Sequence, residues 1–286
     1  MLDMVIVRLL VLLAMVGASL MALVWPSLHG GVEDSRLRVT FLDIGQGDAI
    51  LIQTPDGVDV LIDGGPDAGV LHELRAALGA FDTTIDMVVG THPDKDHIGG
   101  LVPVLEQYTV GHILTTENRG ETMVASEYQE ALTAEGAMVT YARAGQVYAL
   151  GASTTLTVYA PARDPSMLES NTASIVVKLT YGHIDFMLTG DAPQSIEDAL
   201  VVTYGTALAS EVLKLGHHGS KTSSSDLFLD TVQPQYAVVS AGAGNSYGHP
   251  HGEVLERVAS VGARLFNTAT DGRITFVTDG VTIAKE

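Results

Sequence analysis

The apolar run Ile85-Asp86-Met87-Val88-Val89-Gly90 ends in Thr91-His92-Pro93-Asp94-Lys95-Asp96-His97-Ile98-Gly99-Gly100, which sets four possible metal ligands within six residues. A short β-branched run reads as a buried strand. A strand that hands over to four polar ligands must end at an edge of the core, where open sheets keep their clefts. Histidine nitrogen and aspartate oxygen on one turn suit borderline or hard divalent cations. The plain alternative, an aspartate capping the helix predicted from Ile98, needs one acceptor and leaves the other donors without a purpose.

Two more histidine clusters are flanked by glycine, Leu215-Gly216-His217-His218-Gly219-Ser220 and Tyr247-Gly248-His249-Pro250-His251, and a separate acidic turn reads Leu188-Thr189-Gly190-Asp191. Runs at 38–43, 49–54 and 58–63, broken by Gly45-Gln46-Gly47 and Pro55-Asp56-Gly57, predict a strand meander. Helical spacing follows over 69–79, then helices near 98–107 and 122–135 alternate with strands at 85–90, 110–115 and 138–142. The second half repeats the style, with strands near 154–160, 174–181 and 184–189, a helix at 194–209, and a strand at 212–215. A helix at 225–232, a strand at 236–240, a helix at 253–261 and two closing strands complete it. Each ligand cluster follows a strand end, which predicts one shared cleft.

The 46% hydrophobic content predicts a well-filled core, and the absence of a linker or repeat predicts a single domain over residues 33–286. Residues 1–32 stand apart. From Leu9 to Trp25 no residue is charged, which approaches the roughly 20 residues needed to cross hydrocarbon and predicts an uncleaved membrane anchor with the domain outside the cytoplasm. A cleaved signal or a buried helix are the alternatives. Cysteine is absent, so disulfides and thiolate zinc sites are excluded. The net charge of −19, with five lysines, counts against a polyanionic partner, because nucleic-acid affinity comes largely from Lys and Arg.

The clusters can form a dinuclear centre, with His92 and Asp94 on one ion, Asp96 and His97 on the other, Asp191 bridging and His217 closing the second site. Two divalent ions roughly 3.5 to 4 Å apart bring the pKa of a shared water near neutrality and clamp the attacking and leaving oxygens. That chemistry is hydrolysis, most naturally of a phosphodiester.

Phe41-Leu42-Asp43-Ile44-Gly45-Gln46-Gly47-Asp48-Ala49, Asp63-Gly64-Gly65, the His-x-Asp-x-Asp-His run, Thr189-Gly190-Asp191, the His217-His218 segment and Asn245-x-Tyr247-Gly248-His249-Pro250 follow one another in unbroken order over about residues 37–280. In these motifs the chain resembles the metallo-β-lactamase-fold domain of ComEC-type DNA-internalisation competence proteins. The resemblance implies an α+β fold, an αββα four-layer sandwich, and a nuclease-type hydrolase that degrades the non-transported DNA strand. It implies metal ligands at His92, Asp94, Asp96, His97, Asp191 and His217 or its neighbour. Asp94 stands where the wider fold has a second histidine, and Asn171-Thr172-Ala173-Ser174 where it has a third. Fewer nitrogens shift the expected pair of divalent ions from zinc towards manganese or a weakly held zinc. The full competence protein is a multi-spanning channel, so a transport channel encoded elsewhere is an expected partner besides DNA and the membrane.

Adjacent residues of an extended segment point to opposite sides, so one of His217 and His218 is expected to bind metal. His217 is the expected ligand. Asp96, His218 and His249 form the expected catalytic set, with His218 and His249 available for proton transfer. Asn171, Ser174, Ser220 and Lys221 are the expected substrate contacts, and Asp63 is expected to orient a ligand. Asp48 and Gln46 read as turn residues and Lys214 as a solvated charge. The competing functions are a hydrolase of small or cell-surface phosphodiesters, like the phosphorylcholine esterases, and a tethered module without catalysis.

Overall fold

The computed structural model describes residues 36–79 and 81–286. The expected anchor at 1–32 and the domain boundary beside it lie outside the described residues. Among the described residues no helix is long and apolar enough to cross a membrane.

In chain order the first half comprises β1 (Leu37–Phe41), β2 (Ile50–Gln53), β3 (Asp59–Ile62), α1 (Gly69–Leu78), β4 (Thr84–Gly90), α2 (Lys95–Ile98), α3 (Leu101–Gln107), β5 (Thr109–Thr115), α4 (Met123–Glu135) and β6 (Met138–Tyr141). The second comprises β7 (Val147–Ala149), β8 (Thr154–Ala160), β9 (Val176–Tyr181), β10 (Ile184–Leu188), α5 (Gln194–Tyr204), β11 (Val212–Lys214), α6 (Asp226–Val232), β12 (Tyr236–Val239), α7 (Gly252–Ser260), β13 (Arg264–Asn267), α8 (Thr268–Asp271), β14 (Ile274–Thr278) and β15 (Ile283–Lys285). One sheet runs β15-β14-β1-β2-β3-β4-β5-β6 and the other β13-β12-β11-β10-β9-β8-β7.

Strand alternation builds the layers. In β2, Ile50 and Ile52 face the space between the sheets and Leu51 faces the helices; in β3, Val60 and Ile62 oppose Leu61 in the same way. The inter-sheet core joins these residues to Leu156, Val177, Phe186, Val212 and Phe276 from both sheets. On one outer face α1, α3 and α4 bury Leu74, Leu101, Val104 and Tyr128. On the other, Leu200 of α5, Phe228 of α6 and Val254 of α7 cover Leu213 and Ala237. The fold is the expected αββα sandwich. Each fully buried Leu, Ile or Phe side chain contributes roughly 1.5–3 kcal/mol of transfer free energy, so three continuous clusters dominate its stability.

Local differences from the expected elements have simple causes. The helix expected over 98–107 is split between α2 and α3, because Gly99 and Gly100 pack against the Asp63 turn. A Cβ on Gly100 would lie 1.9 Å from the carbonyl oxygen of Gly64. The helix expected over 194–209 stops at Tyr204, and a 3-10 turn covers Gly205–Leu208. The short strand β7 was not anticipated, since three residues carry too little periodicity to be distinguished from loop.

β3, β4, β5 and β6 run parallel to one another, as do β10, β11, β12 and β13. Their carboxyl ends therefore gather the turns at Asp63, His92, Thr116, Asp191, His217 and Ser240 on one edge of the sandwich. The turn after His218 is tied to α5 by Glu197, whose buried carboxylate accepts the backbone N–H groups of Ser224 at 2.6 Å and Ser225 at 2.9 Å. Burial pushes this carboxyl up to about 7 from its ordinary 4.5. The folded protein thus binds this proton more tightly than the unfolded chain. The associated stability is present at low pH and lost as pH rises through about 7. Glu197→Gln should therefore gain on wild type by about 2 kcal/mol between roughly pH 5 and 8 in urea unfolding. A stability difference that stays constant over this range would show that the carboxyl titrates normally.

Candidate metal centre

Asp191 follows β10 at the turn Thr189-Gly190-Asp191, and its side chain is almost wholly buried. Its Oδ2 faces the Nε2 atoms of four imidazoles: His97 at 3.3 Å, His218 at 3.3 Å, His92 at 3.8 Å and His217 at 3.9 Å. Asp94 Oδ2 lies 3.7 Å from His92 Nε2, and Asp96 Oδ2 lies 3.2 Å from His218 Nε2.

The other nitrogen of each ring is engaged from behind. Asp63 accepts the Thr91 backbone N–H at 2.8 Å and the Thr91 hydroxyl at 2.7 Å, so that hydroxyl is free to accept from His92 Nδ1 at 3.0 Å. His97 Nδ1 donates to Asp63 Oδ2 at 2.8 Å, and His218 Nδ1 to the Ser240 carbonyl at 2.9 Å. His217 Nδ1 lies 3.1 Å from the Thr222 hydroxyl. These partners assign the Nδ1–H tautomer and leave each Nε2 lone pair directed at the centre, the arrangement that second-sphere acceptors impose on metal-binding histidines.

Both late histidines take part, which differs from the expectation that one would. The segment is not extended: His217 (φ 50°, ψ 48°) and His218 (φ 55°, ψ 26°) both adopt the left-handed conformation. Two successive left-handed residues curl the turn so that both rings address Asp191, at a cost of order 1–3 kcal/mol each. His218 is the buried inner ring and His217 the more exposed one. The sequence reading has His217 as the ligand and His218 in proton transfer; by position His218 lies deeper and closer to Asp191.

Asp94 accepts the Ser170 hydroxyl at 2.6 Å and makes no capping bond to α2, so helix capping does not explain it. Asn171 Nδ2 lies 3.5 Å from His217 Nδ1. Lys221 is exposed at the rim. Ser174 and Ser220, expected at the substrate, are buried; Ser174 accepts the Asp191 N–H and Ser220 bonds Thr222. His249 stacks with Tyr247 and meets His217 at 5.4 Å between ring centroids.

Two residues were missed in the sequence. Asp48 is buried and pairs with the buried Lys214, whose ammonium also donates to the Gly190 carbonyl at 3.0 Å. The signal was present: Lys214 is the one charge in the apolar run Val212 to Leu215, and a charge there requires a partner. Alternation turns it, like Val212, into the inter-sheet space, where the Gly45–Asp48 turn meets it. That turn sits tightly on the histidine run, for Gly47 has φ +129° and an added Cβ would lie 2.1 Å from the Asp96 carbonyl.

One donor atom each from Asp48, His97, Asp191 and His218 falls within 4.8 Å. Asp48 nevertheless lies on the Nδ1 side of both rings, at 3.8 Å from His97 and 3.4 Å from His218, whereas Asp191 approaches them through Nε2. The Nε2 atoms, Asp191 and Asp96 would thus hold a cation between them, and Asp48 balances Lys214.

The electrostatics favour added positive charge. Burial and the neighbouring His97 push His92 down to about 3, so it is neutral. Burial would likewise lower His97 and His218, but Asp191 outweighs it, aided by Asp63 and Asp48, and raises both. Against burial, Lys214 and His218 hold Asp48 down at about 2, and His218 and His97 hold Asp191 well below the usual carboxylate range. Buried His92 Nε2 and Asp191 Oδ1 have no hydrogen-bond partner, an expensive condition that a divalent cation removes. The donor set fits such ions.

A family profile described as the Metallo-beta-lactamase superfamily matches residues 42–243. The chain belongs to the metallo-β-lactamase superfamily. It is 32% identical over 246 residues to competence protein ComA of Neisseria gonorrhoeae, which covers 86% of this chain and 33% of the relative. It is 28% identical to ComE operon protein 3 of Bacillus subtilis, over 85% of this chain and 33% of the relative. The chain thus spans about a third of these relatives. The metallo-β-lactamase-fold protein YhfI of B. subtilis superposes with a TM-score of 0.54 at 13% identity, covering 82% of this chain and 96% of that one, which is a likeness of fold. The sandwich of metal-dependent hydrolases, and the resemblance to competence proteins, are those expected from the motifs.

Replacing Lys214 with Met should deprive buried Asp48 of its direct ion-pair partner and destabilise the protein by about 3–5 kcal/mol. The Lys214→Met, Asp48→Asn pair should recover much of that loss in thermal unfolding. No recovery would place the cost in packing rather than in charge.

Proposed function

We propose that this superfamily member is a metal-dependent phosphodiesterase that cleaves DNA, and that two divalent ions, zinc or manganese, occupy the centre. The observation that carries the reading is the convergence of four Nε2 atoms on Asp191 Oδ2, each ring tied through Nδ1. In this reading His92 and Asp94 serve one ion, Asp96, His97 and His218 serve the other, and Asp191 is shared. His217 is the further nitrogen within reach. Bound there, such ions would lower the pKa of a water towards neutrality and neutralise charge on the phosphate.

The chain's own residues supply orientation and polarity. Asp63 fixes His97 and, through Thr91, His92. His249 is uncharged near neutral pH, because burial and the adjacent His217 and His218 push it down to about 4. It then serves as a neutral hydrogen-bond donor or acceptor to the phosphate, rather than as an imidazolium acid. Asn171 and Lys221 border the same opening and are the substrate contacts favoured by position. Likeness to competence proteins supports DNA as the substrate and, by extension, a membrane-tethered domain outside the cytoplasm working beside a separate transport channel. The net charge of −19 favours a second reading, hydrolysis of a small or cell-surface phosphodiester.

Metal quantification and nuclease assay of the full chain, loaded with manganese or zinc, test the proposal beside Asp191→Asn and Asp63→Asn. Asp191→Asn should lose at least one ion and most activity. Asp63→Asn should weaken metal affinity or activity about 10–100-fold, as loss of a ring-orienting acceptor does. Equal metal content and activity in Asp191→Asn would overturn the shared site. Cleavage of bis(p-nitrophenyl) phosphate with DNA left intact would select the second reading.

A further inference from the structure

Basic side chains are scarce in this acidic protein, and away from the metal centre they are occupied. Arg143 pairs with Glu117, Lys178 with Asp185 and Arg273 with Glu73, while Arg264 and Lys285 lie over the Phe266 ring. Among the described residues, the side chains of Lys95, Arg119, Arg163 and Lys221 are exposed and make no hydrogen bond, ion pair or ring contact. Lys95 opens α2, and the other three lie on loops. Lys95 separates Asp94 from Asp96, and Lys221 follows His218 by three residues.

The two arginines occupy clefts on either side of the segment 161–172. Arg119 lines one of about 410 Å³ together with Ser170, whose hydroxyl donates to Asp94 at 2.6 Å. Arg163 lines another of about 430 Å³ with Thr172, the neighbour of Asn171. Leu168 borders both, so the clefts adjoin each other as well as the centre. The second also contains Tyr159 and Tyr204, which are half-buried with ring centroids 4.7 Å apart.

We propose that these clefts are nucleotide subsites flanking the scissile phosphate, so that the substrate is a single-stranded polynucleotide and not a small phosphodiester. The proposal rests on the phosphodiesterase reading above. Arg119 and Arg163 bind backbone phosphates on the two sides, a task for which the planar guanidinium is suited by its paired donors. Tyr159 and Tyr204 provide a face for a base, and such stacking accepts any sequence. A single strand is required because a base stacked on these rings must be free of a duplex partner.

The test compares kcat/KM of the manganese-loaded full chain for a fluorescein-labelled dT12 with that for bis(p-nitrophenyl) phosphate, which reaches only the centre. Arg119→Ala and Arg163→Ala should each lower the dT12-to-ester ratio about tenfold, and Tyr204→Leu should do likewise. Arg75→Ala on α1, away from the rim, should leave the ratio as it was. If dT12 is cleaved with an unchanged ratio in both rim-arginine variants, the clefts are not subsites and the nuclease reading stands alone. If wild-type protein leaves dT12 intact, both readings fall.

Discussion

Asp191 is the carboxylate on which the geometry of this edge depends. Four rings can present Nε2 to one oxygen only if every Nδ1 is satisfied elsewhere, and the acceptors come from both halves of the fold. Thr91 and Asp63 follow strands of the first sheet, while Thr222 and the Ser240 carbonyl follow strands of the second. The sheets must therefore meet in one alignment at this edge. The Asp48–Lys214 pair crosses the same gap, from the residues before β2 to the last position of β11. A buried ion pair adds little net stability over an apolar replacement, but it penalises any shift that would separate its partners. Here it ties the turn before β2 to the end of β11 beside the centre.

Much of this was legible because chemistry and periodicity coincided. Apolar runs ending in His, Asp and Gly marked both the strands and the edge at which they stop, so the sandwich and the neighbourhood of His92, Asp94, Asp96, His97 and Asp191 could be read together. What was not legible depends on backbone dihedrals and on contacts distant in sequence. Nothing local announces that His217 and His218 are both left-handed, and the rule for extended neighbours then points the wrong way. Ser174 and Ser220 carry hydroxyls that suit a phosphate, yet Asp191 N–H and Thr222 claim them first. Lys214 was the instructive miss. A lone lysine among buried aliphatic residues states that a buried acid exists, although only the fold identifies it as Asp48.

The charge of the chain opposes a polyanionic substrate, and what counts at the site is where that charge lies. Five aspartates, Asp48, Asp63, Asp94, Asp96 and Asp191, stand at the centre, where Lys214 and bound divalent ions would offset them. Carboxylates elsewhere on the surface act through solvent, and at physiological ionic strength their field decays over about 8 Å. In the proposed clefts Arg119 would meet a strand beside Glu121, so contact depends on that local balance of charge and not on the total. Net charge would then slow arrival of such a strand more than it would weaken the docked complex, because long-range steering depends on the summed field and contact on the local one. Under the proposed function, an acidic protein with Arg119 and Arg163 in adjoining clefts would discriminate by position, repelling a polyanion over most of the surface and holding it beside the centre.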